Sequence, residues 1–397
     1  MKLLFVQGGS RVRICKNGKL YVDGNFNNNI WERYKYYCDE LVVVLRKIDG
    51  TFKEEKIKEK LNWIDTNLLT LKLVDDIYSP KKDFLNIKKR KKIDKEIKEN
   101  VKNADRIIIR SIGNYYTNTA LKYCKKYKKE YLIEVTGFAL DSLWYHSFFG
   151  KIVAIPRELK LKKSVKEAPY VVYVTDKELQ KRYPSNGKML GCSDVELFDE
   201  YSNILEAKKK KIKKDISEKR ITIGTIGFLD VKYKGQTDVI KAISLLKKTG
   251  INSIFYEMVG TGKGKRIKKL INKYKLNENV KIIGALKHKD VGKWLSNIDI
   301  YVHPSYTEGL CRSIIEAMGL ACPVICTNAG GNRELISSEF IYKKTKWKQL
   351  SKKIMEIATL EKLLEQSKIN YYNSKKYNKN DLNKKRDKFY MKFTRKI

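Results

Sequence analysis

The chain of 397 residues contains three histidines, no C-x-x-C pair and no apolar run approaching the length of a membrane-spanning helix. Its seven cysteines, at 15, 38, 124, 192, 311, 322 and 326, are odd in number and widely scattered, so neither a disulfide framework nor a zinc site is suggested. A spanning helix needs about 20 consecutive apolar residues. The N-terminal MKLLFVQGGS offers only a short apolar run before its glycines and reads as a first strand rather than a signal peptide. The expected location is cytoplasmic, at most peripheral on the inner face of the cell membrane. Arginine is also scarce, supplying 15 of the 85 basic residues. Proteins that read bases and phosphates lean on its bidentate fork, and no helix-turn-helix, zinc finger or RNA-binding aromatic signature accompanies the charge. The formal charge of +40 therefore points away from nucleic acid as a partner and leaves an anionic membrane surface as the better polyanion.

Apolar residues make up 42% of the chain and aromatics 11%, a composition that folds, and the length predicts two domains. Short apolar runs at 3–6, 41–45, 68–74, 106–110, 131–135, 171–174 and 188–190 alternate with helical stretches at 31–38, 87–103 and 118–128, the mark of a doubly wound sheet. EAKKKKIKKDISEKR, residues 206–220, reads as an exposed charged linker. The alternation then restarts, with strands at 221–226, 254–259, 280–283 and 299–303 separated by helices at 237–248, 265–274 and 289–297, and the chain closes in a basic helical stretch from Trp347. The fold class is thus α/β, with two Rossmann-like domains, 1–205 and 221–375, facing a central cleft, and residues 376–397 returning to the first domain as a helix. Ligand sites in such folds lie at the carboxyl ends of the strands.

Beyond the strand IDIYVHPS comes EGLCRSIIEAMGL. A helix opening just after Gly309 aims free N–H groups and its positive dipole end at the cleft, a ready site for an anion. Glu308 lies in the loop and Glu316 about two turns into the helix, so both carboxylates can accept from sugar hydroxyls of one ligand; an isolated pair of this kind is more often a helix-terminal charge and a solvated residue. Gly260, Gly262 and Gly264 match neither the dinucleotide fingerprint nor a P-loop and read as a turn. Gly8 and Gly9, after the first strand, suggest a glycine loop that lets backbone approach sugar or phosphate. His303 reads as packing at the end of its strand.

The string HPSYTEGLCRSIIEAMGLACPVICTNAGGNRELI resembles the signature of retaining glycosyltransferases of the GT-B fold, family 4 (glycosyl transferases group 1), with IGTIGFLDVKYKGQ, YEMVGTGKG and VKIIGAL in matching order. The likeness spans residues 221–336 and weakens in the first half. It implies a nucleoside diphosphate sugar donor, UDP- or GDP-linked, with no cofactor, and transfer to a saccharide or lipid-linked acceptor in cell-surface polysaccharide or glycolipid synthesis, with retention and without a metal. Glu308 would then contact the donor sugar and Glu316 the ribose. Gly309, Leu310 and Cys311 would meet sugar and diphosphate through their backbone, Lys234 would neutralise the diphosphate, and Ala285 and Leu286 would hold the base. The arginine that follows the glycine of this motif in the family is absent: after Gly227 stands Phe228, with Lys232 as a replacement or a solvated loop charge. Asp141 and His146 compete for a place beside the reacting sugar. A GT-B epimerase or phosphorylase, and a non-catalytic polyanion-binding protein, are the alternatives. Two stretches are membrane-contact candidates, the basic helix 87–103 and LWYHSFFGKIVAIPRELKLKK. For the first, packing on its own sheet is the competing expectation.

Overall fold

The computed structural model describes residues 1–24, 26–195, 197 and 203–395, with the side chains of all but residues 288 and 289. Strands β1 (Lys2–Cys15), β2 (Leu20–Val22), β3 (Glu40–Phe52), β4 (Asn62–Trp63), β5 (Thr70–Asp75), β6 (Arg106–Arg110), β7 (Tyr131–Val135), β8 (Tyr170–Tyr173) and β9 (Lys188–Gly191) form the first sheet. Its spine is parallel, in the order β5-β3-β1-β6-β7-β8-β9. Such strands are covered on both faces, which is why RIIIR in β6 buries Ile107, Ile108 and Ile109 completely. Beyond Gln7, where its pairing with β6 ends, β1 stays parallel with β3 and on its other edge pairs antiparallel with β2, which pairs with β4.

Helices α1 (Asn28–Lys35), α2 (Ile87–Asn103), α3 (Tyr115–Lys126), α4 (Ala139–His146), α5 (Phe148–Lys166) and α6 (Glu178–Arg182) belong to this domain. Two expectations change here. Gly8 and Gly9 lie inside β1 and form no loop; a Cβ on Gly8 would sit 2.1 Å from Asn114 Oδ1, so glycine serves to let the strand pass the residue that caps α3. The membrane reading of helix 87–103 also gives way, because Ile93, Ile97 and Val101 of α2, four residues apart, are wholly buried in the core shared with the sheet.

Residues 206–220 are not an exposed linker. Helix α7 (Ile204–Ser217) runs through them, and Ile204, Lys208, Ile212 and Ile216 recur every fourth residue along it. Ile212 is fully buried. The Lys208 ammonium donates to the carbonyls of Leu295 (3.0 Å), Ser296 (2.8 Å) and Ile298 (2.7 Å), satisfying carbonyls that a helix end leaves open. A lysine thus occupies a core-facing position, which disguised the stripe in the sequence.

The second sheet comprises β10 (Ile221–Ile226), β11 (Ile254–Val259), β12 (Val280–Gly284), β13 (Ile300–His303), β14 (Val324–Thr327) and β15 (Ile341–Tyr342). It is parallel throughout, in the order β12-β11-β10-β13-β14-β15. Helices α8 (Gln236–Lys248), α9 (Lys265–Lys273), α10 (His288–Ser296), α11 (Arg312–Gly319), α12 (Asn332–Leu335), α13 (Trp347–Ile357) and α14 (Leu360–Ser374) accompany it. The last helix, α15 (Lys379–Thr394), crosses back: Tyr390 and Phe393 join Leu3, Phe5 and Trp31 in one apolar cluster, and the hydroxyls of Tyr390 and Tyr34 both donate to the buried Glu134 carboxylate. Among the described residues no helix is long and apolar enough to cross a membrane.

Across the cleft, the Glu334 carboxylate accepts from the backbone N–H groups of Asp176 (2.7 Å), Lys177 (2.9 Å) and Glu178 at the start of α6. Close backbone contact adds to this, since a Cβ on Gly309 would lie 2.0 Å from the Thr136 carbonyl oxygen.

Candidate active site

β13 ends at His303, and the loop that follows carries Glu308 back toward it before α11 begins. Glu308 Oε1 accepts from Lys234 Nζ at 2.6 Å and lies 2.9 Å from His303 Nε2. Cys311 Sγ is 3.3 Å from the same imidazole nitrogen and 3.2 Å from Ser313 Oγ, to which Tyr301 donates at 2.8 Å. Burial alone would raise the Glu308 carboxyl, but Lys234 and His303 overcome it and hold it far below the usual carboxylate range. Burial likewise opposes charge on His303, yet Cys311 and Glu308 outweigh it and carry its pKa up to about 9. Lys234 is raised by Glu308 against its own burial. At neutral pH one carboxylate therefore faces two cations, leaving a net positive charge at the amino end of α11.

That end is open. Cys311 caps α11 without a side-chain hydrogen bond, and no acid stands in the first turn, so no side chain of that turn occupies the place an anion would take at the dipole's positive end. The loop is clamped from two sides. A Cβ on Gly330 (φ +50°) would strike the Glu308 carbonyl oxygen at 2.0 Å, and Gly331 N donates to Gly309 O at 2.7 Å. Lys234 closes the 3-10 turn 232–234, which rests on the same loop through Tyr306 N to Tyr233 O (2.8 Å). Gly235 (φ +70°) permits this approach, since a Cβ there would lie 2.0 Å from Pro304 O. His303, Glu308 and Cys311 offer nitrogen, oxygen and sulfur ligand atoms within 4.8 Å of one another, a set that could hold a soft cation, although Lys234 shares the same carboxylate oxygen.

The remaining expected residues fall around this centre. Glu316 is half-buried on α11, and Leu310 and Cys311 lead into that helix with Cys311 buried. Gly227 follows β10, and its N–H donates to Val259 O at 2.9 Å. Phe228 next to it is 59% exposed, leaving its side of the lysine turn without a cation from that position, and Lys232 is exposed in the turn itself. Ala285 is exposed and Leu286 half-buried just past β12. Helix α4 meets the lysine turn: the His146 ring faces Tyr233, centroids 6.4 Å apart and planes inclined by 30°. The Asp141 carboxylate is engaged by Lys344 of the other domain. Gly8 and Gly9 remain in β1, with the Gln7 side-chain oxygen accepting from Gly9 N at 2.9 Å. The sequence reading missed His303 as a site residue. The signal was its place at the carboxyl end of a strand, five residues before Glu308, where α/β sheets bind ligands.

A family model for glycosyl transferases group 1 matches residues 206–375. The Staphylococcus aureus Protein CapJ is 35% identical over 346 residues, covering 86% of this chain and 83% of that one. The capsular polysaccharide biosynthesis glycosyltransferase CapM of the same organism is 28% identical over 174 residues, 43% of this chain and 44% of that one. Among solved structures, Anabaena Alr3699/HepE in complex with UDP-glucose aligns with TM-score 0.63 at 16% identity over 98% of each chain. Sucrose-phosphate synthase from Thermosynechococcus elongatus aligns with TM-score 0.67 at 15% identity over the whole of both. The structural matches show a shared GT-B fold, and the sequence identity carried across most of CapJ, together with the family model, shows that this chain is a glycosyltransferase belonging to the glycosyl transferases group 1 family.

Proposed function

We propose that the protein transfers a sugar, with retention and without a metal, from a nucleoside diphosphate sugar to an acceptor hydroxyl during capsular polysaccharide assembly. The observation that carries this reading is the Lys234–Glu308–His303 cluster at the uncapped amino end of α11. A diphosphate placed there meets free N–H groups, a helix dipole and Lys234, which together stabilise charge as it builds on the leaving group, electrostatic work that a metal ion does elsewhere. Glu308 accepts from hydroxyls of the transferred sugar and Glu316 from those of the ribose. Glu308 is committed to Lys234 and His303 rather than poised as a nucleophile, so attack comes from the face of the departing phosphate, whose oxygen takes the acceptor proton. The HepE complexes contain UDP and UDP-glucose, which favours a UDP-sugar here, and relatives named for capsule biosynthesis supply the pathway.

The acceptor end is read as lying at a membrane surface, on the cytoplasmic side. α5 packs Ala154, Glu158, Leu161 and Val165 inward while Phe148 (75% exposed), Phe149, Ile152 (61%), Ile155 and Leu159 form an outward ridge. Lys151, Lys160 and Lys163 flank it in the exposed class. An apolar ridge bordered by lysines suits an anionic lipid interface and a lipid-linked acceptor.

The test is incubation of the purified chain with a panel of UDP- and GDP-sugars, with and without EDTA, in the presence and absence of capsular oligosaccharide. Nucleoside diphosphate should appear only with acceptor, survive EDTA, and accompany a product whose anomeric configuration by NMR matches the donor. Release or sugar conversion independent of acceptor would identify an epimerase instead, and an inverted product would overturn retention.

A further inference from the structure

Opposite the start of α11 the middle of β1 and the carboxyl ends of β6, β7, β8 and β9 border a cavity of about 290 Å³, closed from the other domain by Leu310 and Arg312. Neither Lys234 nor Glu308 lines it. Its wall carries three guanidinium groups, those of Arg33, Arg110 and Arg312. Arg110 donates to both Glu134 and Asp194, and Arg33 Nη2 stands 3.8 Å from Asp194. Burial would raise the Asp194 carboxyl, but Arg110 and Arg33 hold it well below the usual range, so it is ionised and already spoken for. Three cations against two carboxylates leave one positive charge over. Arg33 Nε is buried with no hydrogen-bond partner among the described residues, and a buried donor left open costs free energy unless a ligand meets it.

Arg312 makes the imbalance sharper. It is the first residue of α11, where the dipole repels a cation, and among the described residues no hydrogen bond or ion pair engages it. A residue placed against its local electrostatics without compensation marks function rather than folding. Ser111 gives an independent sign at the same wall. It holds φ at +58°, a left-handed conformation that a serine adopts at a cost, with Oγ 2.7 Å from Thr136 Oγ1. Those two hydroxyls, with Ser10 and Ser193 nearby, suit a polyhydroxylated ring.

We infer that this cavity receives an anionic group on the acceptor, a sugar carboxylate or a carrier phosphate, held by Arg312 and Arg33. The inference rests on the glycosyltransferase reading above and names the acceptor class for it. The test is calorimetric titration of the full chain, saturated with UDP, with methyl glucuronide, methyl glucoside and a short-chain polyprenyl phosphate, for wild type, Arg312→Gln and Arg312→Lys. At least one anionic probe should bind about tenfold or more tightly than methyl glucoside, as expected for a partly buried charge-assisted contact. Whether the glucuronide or the phosphate shows the advantage tells carboxylate from carrier. Arg312→Gln should erase that advantage and Arg312→Lys keep part of it, with UDP affinity within about twofold of wild type for both. The inference fails if neither anion outbinds the glucoside, or if Arg312→Gln weakens UDP as much as the anionic probe. Because UDP is titrated on the same samples, loss of the inference with UDP binding intact leaves the donor-site reading standing, whereas absence of UDP binding to wild type would remove that reading itself.

Discussion

The two halves of the cleft are built differently. In the carboxyl-terminal domain the proposed donor side comes from two short segments, 227–236 and 303–316, whose side chains contact one another directly, as Lys234 does Glu308 and His303 does Cys311. In the amino-terminal domain the facing wall is collected from the middle of β1, four strand ends and a helix, and is completed by Leu310 and Arg312 of the opposite domain. A site made of contiguous residues leaves a readable string, while one assembled from distant segments exists only after folding. On the proposed reading the donor contacts are set by local geometry, whereas the facing wall depends on which distant segments the fold brings together.

The largest effect should come from breaking the donor cluster. Glu308→Gln keeps the shape and removes the charge, so sugar hydroxyls lose their strongest acceptor and turnover should fall by roughly 10² to 10³. UDP affinity should hold or rise, because Lys234 and His303 then present two uncompensated cations to the diphosphate. The melting temperature should drop, since two buried cations have lost their partner. Steady-state rates, UDP titration and thermal unfolding of one preparation check all three. If kcat and UDP binding fell together by a small factor, Glu308 would be a structural carboxylate and the contrast between the two halves would lose its basis.

His303 gives a pH handle on the same cluster. Its pKa, up to about 9 in the fold against an ordinary 6.5, means that the stability it contributes is fully present below pH 6.5 and is lost as pH rises toward 9. Linkage puts that loss at about 3 kcal/mol as an upper figure. Denaturant unfolding between pH 6 and 9.5 should show it in the wild type and a flatter profile in His303→Asn; parallel profiles would mean the imidazole is not charged in the fold. Glu308, held low, runs the other way: its contribution is present above the ordinary carboxyl value of 4.5 and is lost progressively as pH falls below it.

On the acceptor side the expected effects are smaller and spare the chemistry. Replacing Phe148 and Ile152 together by aspartate removes apolar surface from the α5 ridge and adds two negative charges. Sedimentation with anionic vesicles should fall by about tenfold or more, while turnover on a water-soluble acceptor stays near wild type. Unchanged sedimentation would show that the ridge does not contact lipid.

How much of this was legible in the sequence follows the same division. The strands were readable where Ile, Val and Leu run together, as at Ile107–Ile109 and Val42–Val44, though β1 and β3 continue well past those runs through polar residues, and EGLCRSIIEAMGL placed Glu308 beside a helix start. Helix α7 was hidden because Lys208 occupies a core-facing position, its ammonium buried on carbonyls that lie nearly ninety residues further along the chain. His303 reads as packing in the sequence because its partners, Glu308 and Cys311, approach only when the loop folds back. Arg33, Arg110 and Arg312 lie far apart in sequence and nothing local joins them. Gly8 misled for the opposite reason: it answers to Asn114, more than a hundred residues away, rather than to a turn of its own.

The finest test concerns the one motif position where the donor side departs from its family. Phe228 is exposed beside the lysine turn, so an arginine there has room and adds a second cation near the diphosphate. Phe228→Arg should lower the donor KM by about threefold to tenfold, the range of one partly exposed charge-assisted contact, with kcat little changed because Lys234 already serves the leaving group. Lys232, exposed two residues before Lys234, decides how large that gain can be. If Lys232 already supplies the missing charge, Lys232→Ala should raise the donor KM in the wild type and do so much less in the Phe228→Arg background, a coupling that a double-mutant cycle measures directly. If the two changes are additive, Lys232 is a solvated loop charge, and the donor half of the cleft works with a single lysine and the open end of α11.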